Sequence, residues 1–110
     1  MRKLIFILAS AIAFIILVTP PALATSTTET ATLFTNNCAG CHINGGNIVR
    51  RNKSLRSNAL KKFGMDSPDA IAQLIKNGQY AMPAYKGRLT DSQIVDVSAY
   101  VLEQAAQGWK

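Results

Sequence analysis

The chain has 110 residues, with twelve Lys or Arg against six Asp or Glu and a formal net charge of +6. This length supports one small domain with a limited apolar core. The sequence contains no internal repeat, phosphate-binding loop or catalytic triad. Its two cysteines and single histidine are too few for the four ligands of a structural zinc site.

Residues 1–24 have the composition of a cleaved export signal: two basic residues, an apolar stretch over residues 4–18, and a small-residue cleavage site ending at Ala24. The apolar stretch is shorter than the roughly 20 residues of a spanning helix, so an uncleaved anchor is the less favoured alternative. Cleavage leaves residues 25–110 as a single domain with ten basic and six acidic residues, a net charge of +4. We expect it in a bacterial periplasm or a thylakoid lumen.

A capping box at Ser26–Glu29 predicts a first helix that runs to about Asn36, with Leu33 and Phe34 on its apolar side. This helix leads directly to the segment that contains both cysteines and the histidine.

That segment is Cys38-Ala39-Gly40-Cys41-His42, whose spacing is typical of a c-type haem attachment site. Two thiols so placed each bond one vinyl-derived carbon of the same porphyrin edge, and the adjacent imidazole can take an axial position on the iron. A disulfide or a thioredoxin-like redox pair is the alternative. A disulfide needs no adjacent histidine, and the strand–helix pattern expected beside a redox pair is absent. The sequence therefore predicts one covalently bound haem c.

Residues 43–56 are predicted to be irregular, with a turn at 44–47. Gly45 and Gly46 would let the backbone pass close to the haem edge. Ser57 is predicted to cap a short helix that ends at Lys62 or Phe63.

The next helix begins at Ser67-Pro68-Asp69, where serine caps and proline takes the first helical position. Its apolar face contains Ile71, Leu74 and Ile75, and Asn77-Gly78 ends it.

Residues 79–89 form a predicted loop around Met82-Pro83. A thioether opposite histidine favours reduced iron, and the proline stiffens the backbone beside it. Met82 is therefore the predicted sixth iron ligand. Met65 is the rival candidate, and either methionine also fits a role as a core filler.

A second capping box at Thr90–Gln93 predicts a final helix to about Gln107. Its buried stripe is predicted to contain Ile94, Val97, Val101 and Leu102. Tyr100 would meet Phe34 where the first and last helices cross, and Trp109 would be a packing anchor. The sequence thus predicts an all-α fold of four helices around haem.

Basic residues concentrate between positions 50 and 62 without an intervening acid: Arg50, Arg51, Lys53, Arg56, Lys61 and Lys62. We interpret this cluster as a docking surface for an acidic redox partner, against the alternative of an ordinary solvated face. Nucleic acid is disfavoured because no aromatic pattern accompanies the charges and because the chain is exported.

The chain resembles a class I cytochrome c, and most closely cytochrome c6 of cyanobacteria and algae. The resemblance spans essentially all of residues 25–110 and rests on several motifs, which are Cys38–His42, Gly45-Gly46-Asn47, Phe63-Gly64-Met65, Ala81–Leu89, Asp96–Leu102 and Gly108-Trp109-Lys110.

The resemblance implies haem on Cys38 and Cys41, and His42 and Met82 as axial ligands. It implies a class I cytochrome c fold and a soluble monomer that carries one electron from the cytochrome b6f complex to photosystem I or a terminal oxidase. Arg88 matches a docking arginine beside the exposed haem edge.

Two positions depart from the family pattern. Thr30 stands where glycine is usual, which predicts a looser crossing of the terminal helices. Leu74 stands where the main photosynthetic members have glutamine, eight residues before the ligand methionine. Leucine there resembles the c6-like branches and predicts a lower redox potential.

We therefore expect an electron carrier and not an enzyme, because iron with both histidine and methionine bound has no open position for a substrate. The alternatives are a haem-based enzyme or gas sensor, which needs a displaceable Met82, and a thiol-redox or structural module without haem.

Overall fold

The structure, a computed structural model, describes residues 24–110. Four α-helices are present in this part of the chain: α1 (Ala24–Asn37), α2 (Ser57–Lys62), α3 (Pro68–Asn77) and α4 (Asp91–Ala106). Single 3-10 turns at Ile43–Gly45 and Arg51–Lys53 interrupt the segment between α1 and α2. The extended pairing among these residues is confined to two isolated bridges, Gln79 with Met82 and Lys86 with Leu89. The all-α prediction is confirmed.

The start of α1 differs from the prediction. Its described part already begins at Ala24, so Ser26 lies within the helix and is not its cap. The predicted export signal, except for its last residue, lies outside the described residues.

Helices α3 and α4 begin as their sequences predict. The Ser67 side chain accepts a hydrogen bond from the Ala70 amide at 3.2 Å, and Pro68 occupies the first turn. At α4 the Thr90 hydroxyl accepts from the Gln93 amide at 3.1 Å, and the Gln93 side chain accepts from the Thr90 amide at 2.9 Å. Both caps satisfy amides that a helix N-terminus leaves without intrahelical partners.

Ser57 does not cap α2, although α2 has the predicted extent. Arg56 occupies the cap position without a side-chain hydrogen bond. The Ser57 hydroxyl instead donates to the carbonyl of Ala105 at 2.9 Å. The serine therefore attaches α2 to the end of α4.

The core forms where α1 and α3 pack on α4. Ile94, Val97 and Val101 are buried, as predicted, whereas Leu102 is only half-buried. Ser98 and Ala105 complete the buried face of α4. The Ser98 hydroxyl donates to the Ile94 carbonyl at 2.7 Å, which satisfies it inside the core.

An aromatic cluster closes the crossing of α1 and α4. The Phe34 ring lies 5.4 Å from the Tyr100 ring and 5.3 Å from the Trp109 ring, between centroids. Trp109 Nε1 also donates to the Leu55 carbonyl at 2.9 Å. The predicted Phe34–Tyr100 contact and the packing role of Trp109 are thus confirmed. Thr30 is also buried in α1.

Gly45 packs against the Trp109 ring of this cluster, whereas the sequence predicts it at the haem edge. Its φ is +75°, and a Cβ added to it would overlap the indole ring of Trp109. A glycine is required there because both the backbone conformation and the space exclude a side chain.

Within residues 24–110, none of the helices combines the length and the apolar character needed to cross a bilayer.

Candidate functional site

A largely apolar cavity of about 300 Å³ lies between the end of α1, the segment after it, α3, and the loop that follows α3. Core residues of α3 and α4, including Ile71, Ile75 and Val97, form its inner wall. The predicted haem-binding residues all line this one cavity, although they come from distant parts of the sequence: Cys38, Cys41, His42 and Met82.

The His42 ring is oriented by a hydrogen bond within its own turn. Its Nδ1 lies 2.8 Å from the carbonyl oxygen of Gly46. A carbonyl can only accept, so Nδ1 is the donor, and in the neutral imidazole Nε2 is the nitrogen with a free lone pair. Metal-bound histidines are commonly oriented in this way, with the second ring nitrogen donating to a carbonyl.

The two cysteines are free thiols in different surroundings. Cys38 is half-buried and Cys41 is exposed. Burial raises the pKa of Cys38 to about 11. A reactive redox cysteine has a lowered pKa instead, so the site disfavours the thioredoxin-like alternative.

The backbone of residues 79–89, which we call the methionine loop, holds Met82 in a tight turn. The Met82 amide donates to the Gln79 carbonyl at 2.6 Å, and the Gln79 amide donates to the Met82 carbonyl at 3.1 Å. Ala81, within this turn, has a φ of +74°, a conformation that non-glycine residues adopt at some cost. Gly78 lies against the same backbone, with a φ of +69°.

Met65 and Leu74 line the same cavity as Met82. The rival methionine is therefore also at the site, packed against the core from the segment that follows α2. Leu74 is half-buried on α3, with its side chain on the cavity wall, as the periodicity of α3 predicts.

The predicted docking residues are all exposed, but they lie on three elements. Arg50 contributes to the cavity wall, and Arg51 and Arg56 line a shallow depression beside Ile48. Lys62 is on α2, with its ammonium 5.7 Å from the Phe63 ring centroid. Arg88 is in the methionine loop, with its guanidinium 5.0 Å from the centroid of Tyr85.

Three residues at the cavity were not assigned a role from the sequence. Phe63 lines the cavity and has the ammonium of Lys53 5.0 Å from its ring centroid. Asn47 accepts from the Val49 and Arg50 amides and donates to the Lys53 carbonyl. Its place in a turn motif signals such bonding.

The third is Tyr85, which is buried and lines the cavity. Its hydroxyl donates to the Asn37 carbonyl at 2.8 Å. Burial is the chief cause that raises its pKa above the usual 10, so the hydroxyl stays protonated at neutral pH. No local sequence pattern links Tyr85 to Asn37, because 48 positions separate them.

The donor set fits a haem c. Two thiols are available for covalent attachment, one imidazole nitrogen is free for iron, and thioethers line the same apolar cavity. When bound, the haem supplies a one-electron change between ferric and ferrous iron.

Comparison with known proteins matches residues 25–101 to the family model "Cytochrome C oxidase, cbb3-type, subunit III". Cytochrome c6 of Thermosynechococcus vestitus is 52% identical over 98% of this chain and 96% of that protein. A cytochrome c6-like protein of a Nostoc species is 54% identical over 84% of this chain and 83% of that protein.

Solved structures agree with these relatives. Cytochrome c6 of the diatom Phaeodactylum tricornutum superposes with a TM-score of 0.73 at 38% identity, covering 76% of this chain and 98% of that one. Cytochrome c6C of a Synechococcus species superposes with a TM-score of 0.69 at 47% identity, covering 72% of this chain and 96% of that one.

Proposed function

Because the chain belongs to the cytochrome c6 family, it is an electron carrier with one covalently attached haem c, and we propose that the cavity beside α3 holds this haem. Cys38 and Cys41 form the two covalent links. His42 and Met82 would hold the iron. The observation that carries this assignment is that one cavity collects all four side chains.

The surroundings of the ligands suit electron transfer. The Gly46 carbonyl fixes the His42 ring and makes its free nitrogen a better donor. The reciprocal hydrogen bonds between Gln79 and Met82 restrict the methionine backbone. Apolar side chains of α3 and α4 form the inner wall of the cavity. A rigid site of this kind changes little between oxidation states, which favours rapid transfer.

With His42 and Met82 both bound to the iron, neither axial position is open to a substrate. The protein is therefore a carrier and not an enzyme. A carbon monoxide difference spectrum of the reduced protein tests this point. A full carbon monoxide shift at low concentration would indicate an open or displaceable site and favour a haem enzyme or sensor.

Substitution of each methionine tests the ligand assignment. Met82→Ala should abolish the methionine–iron charge-transfer band and lower the redox potential, because the thioether stabilises reduced iron. Met65→Ala is the matched control, since it removes the other thioether of the same cavity and should keep the band. An intact band in Met82→Ala, or its loss in Met65→Ala, would reject the assignment.

Covalent attachment has a separate test. The haem should stay with the protein in acid–acetone and give the pyridine haemochrome spectrum of a c-type haem. Haem extracted by acid–acetone would show that the two cysteines do not bind it.

The partners are redox proteins with acidic surfaces. By resemblance to cytochrome c6, we propose the cytochrome b6f complex as donor and photosystem I or a terminal oxidase as acceptor, contacted by a soluble monomer in a thylakoid lumen or periplasm. Cleavage of residues 1–24 would deliver residues 25–110 there. Exposed cations near the cavity support docking to an acidic surface: Arg50, Arg51, Arg56, Lys62 and Arg88.

A lower-potential role within the family is the second candidate. Leu74 lines the cavity where glutamine is usual in the main photosynthetic members. The c6-like protein is 54% identical and the cytochrome c6 of Thermosynechococcus vestitus is 52% identical, so overall identity does not distinguish the two roles. A redox titration of the holoprotein distinguishes the two roles, because the potential limits which partners give or accept the electron.

A further inference from the structure

Tyr85 connects the two halves of the site. Its ring is buried, with 7% of its surface exposed, and lines the cavity. Its hydroxyl donates to the carbonyl of Asn37 at 2.8 Å. Asn37 is the last residue of α1 and directly precedes Cys38. The hydrogen bond therefore joins the methionine loop to the backbone that begins the haem-attachment segment.

The rest of Tyr85 is anchored on the methionine side. Its amide donates to the Ile75 carbonyl of α3 at 2.9 Å, and its carbonyl accepts from the amides of Arg88 and Leu89. These bonds fix the tyrosine backbone to α3 and to its own loop. The hydrogen bond of the hydroxyl then connects this fixed backbone to the end of α1.

Met82 lies three residues before this anchor, and a methionine thioether is a weak ligand that exogenous bases can replace. Its occupancy of the iron depends on how strongly the loop is held in the bound position. A contact made when the loop is in place, and broken when the loop swings away, biases the equilibrium toward the bound state.

We propose that Tyr85 is a positioning residue for the methionine ligand: its hydroxyl ties the methionine loop to Asn37 and thereby keeps Met82 on the iron. This inference rests on the proposed ligand role of Met82. It concerns the hydroxyl specifically, because the ring also packs in the core and lies 5.0 Å from the Arg88 guanidinium, contacts that phenylalanine would preserve.

Imidazole titration of the ferric holoprotein tests the proposal, with Tyr85→Phe compared with the parent. Loss of a buried donor that leaves a carbonyl unpaired should raise the apparent imidazole affinity by about tenfold. Disappearance of the methionine–iron charge-transfer band reports the displacement. Tyr100→Phe is the matched control, because it removes a tyrosine hydroxyl from α4 at a residue outside the cavity lining, and it should bind imidazole as the parent does.

Thermal unfolding of both variants separates positioning from general stability. If Tyr85→Phe melts at a lower temperature but binds imidazole with the parent's affinity, the hydroxyl only stabilises the fold and the proposal is wrong. An equal change of imidazole affinity in Tyr85→Phe and Tyr100→Phe would also overturn it. Failure of the ligand assignment is recognised separately, since Met82→Ala would then keep the charge-transfer band.

Discussion

Gly78 is the position where one added methyl group should most directly disturb the methionine loop. It ends α3 with a φ of +69°, and its amide donates to the Leu74 carbonyl at 2.8 Å. A Cβ built there would lie 2.7 Å from the Ala84 nitrogen and 2.8 Å from the Met82 oxygen. Real Cβ atoms essentially never approach other atoms closer than 3.0 Å. Gly78→Ala therefore forces the backbone beside the proposed ligand to move.

Two costs add in this variant. With φ +69° and ψ 174°, Gly78 adopts a conformation that is essentially restricted to glycine, where a side chain costs about 1–3 kcal/mol, and overpacking against backbone costs about 1–3 kcal/mol more. Gly64→Ala provides the control, because Gly64 has nearly the same φ, +68°, and no atom within 4 Å of an added Cβ. It should lose only the cost of a side chain at positive φ, about 1–2 kcal/mol.

Denaturant unfolding of the two holoproteins measures these losses, and the charge-transfer band reports methionine binding. Gly78→Ala should be less stable than Gly64→Ala and should show a weakened band, whereas Gly64→Ala should keep the parent's band. If the two variants lose equal stability and both keep the band, the crowding at Gly78 does not constrain Met82.

Three further predictions concern the potential, the docking surface and the aromatic cluster. Leu74→Gln should raise the potential in a redox titration, because an amide N–H dipole directed at the haem favours the reduced state; a fall or no change would make Leu74 a packing residue only. Trp109→Phe should lower the free energy of unfolding by about 1–3 kcal/mol by leaving the Leu55 carbonyl unpaired, with an unchanged charge-transfer band; a weakened band would show that the cluster also positions the ligand. Neutralising Arg50, Arg51, Arg56 and Lys62 together should slow the reaction with an acidic partner and flatten its salt dependence, since exposed charges are screened over about 8 Å at physiological salt. Lys110→Gln is the control and should change the rate little. Equal stopped-flow rates for the parent and the fourfold variant at low ionic strength would show that the four cations are ordinary surface residues.

The helices that the sequence predicts well are those whose start signals are local. Thr90 and Gln93 lie within one turn of each other, and so do Ser67 and Ala70, so their hydrogen bonds depend on the chain nearby. Ser57 is a serine like Ser67, but it does not cap its helix. Its hydroxyl bonds instead to the Ala105 carbonyl, which lies 48 positions away. A sequence pattern therefore identifies the capping side chain only when no distant acceptor competes for it.

The residues of the site also fall into two groups, those placed by neighbours in the sequence and those placed by distant contacts. Both thiols and the imidazole lie within five consecutive residues, so their common placement could be predicted directly. Gly45 was assigned to the haem edge because nothing in the sequence connects it to Trp109, whose ring occupies the space beside it. Tyr85 was not assigned a role for the same reason, since Asn37 becomes its neighbour only after folding.

The two axial positions thus depend on contacts of different range. His42 is oriented by Gly46, four residues away, within its own turn. Met82 is placed by a loop that Gly78 crowds at one end and that Tyr85 ties to α1 at the other. Loop-closure entropy favours the local arrangement, whereas long-range contacts are lost together when packing loosens. Partial unfolding should therefore release methionine from the iron before histidine, which makes the methionine side the place where sequence changes in this chain most readily alter ligand binding.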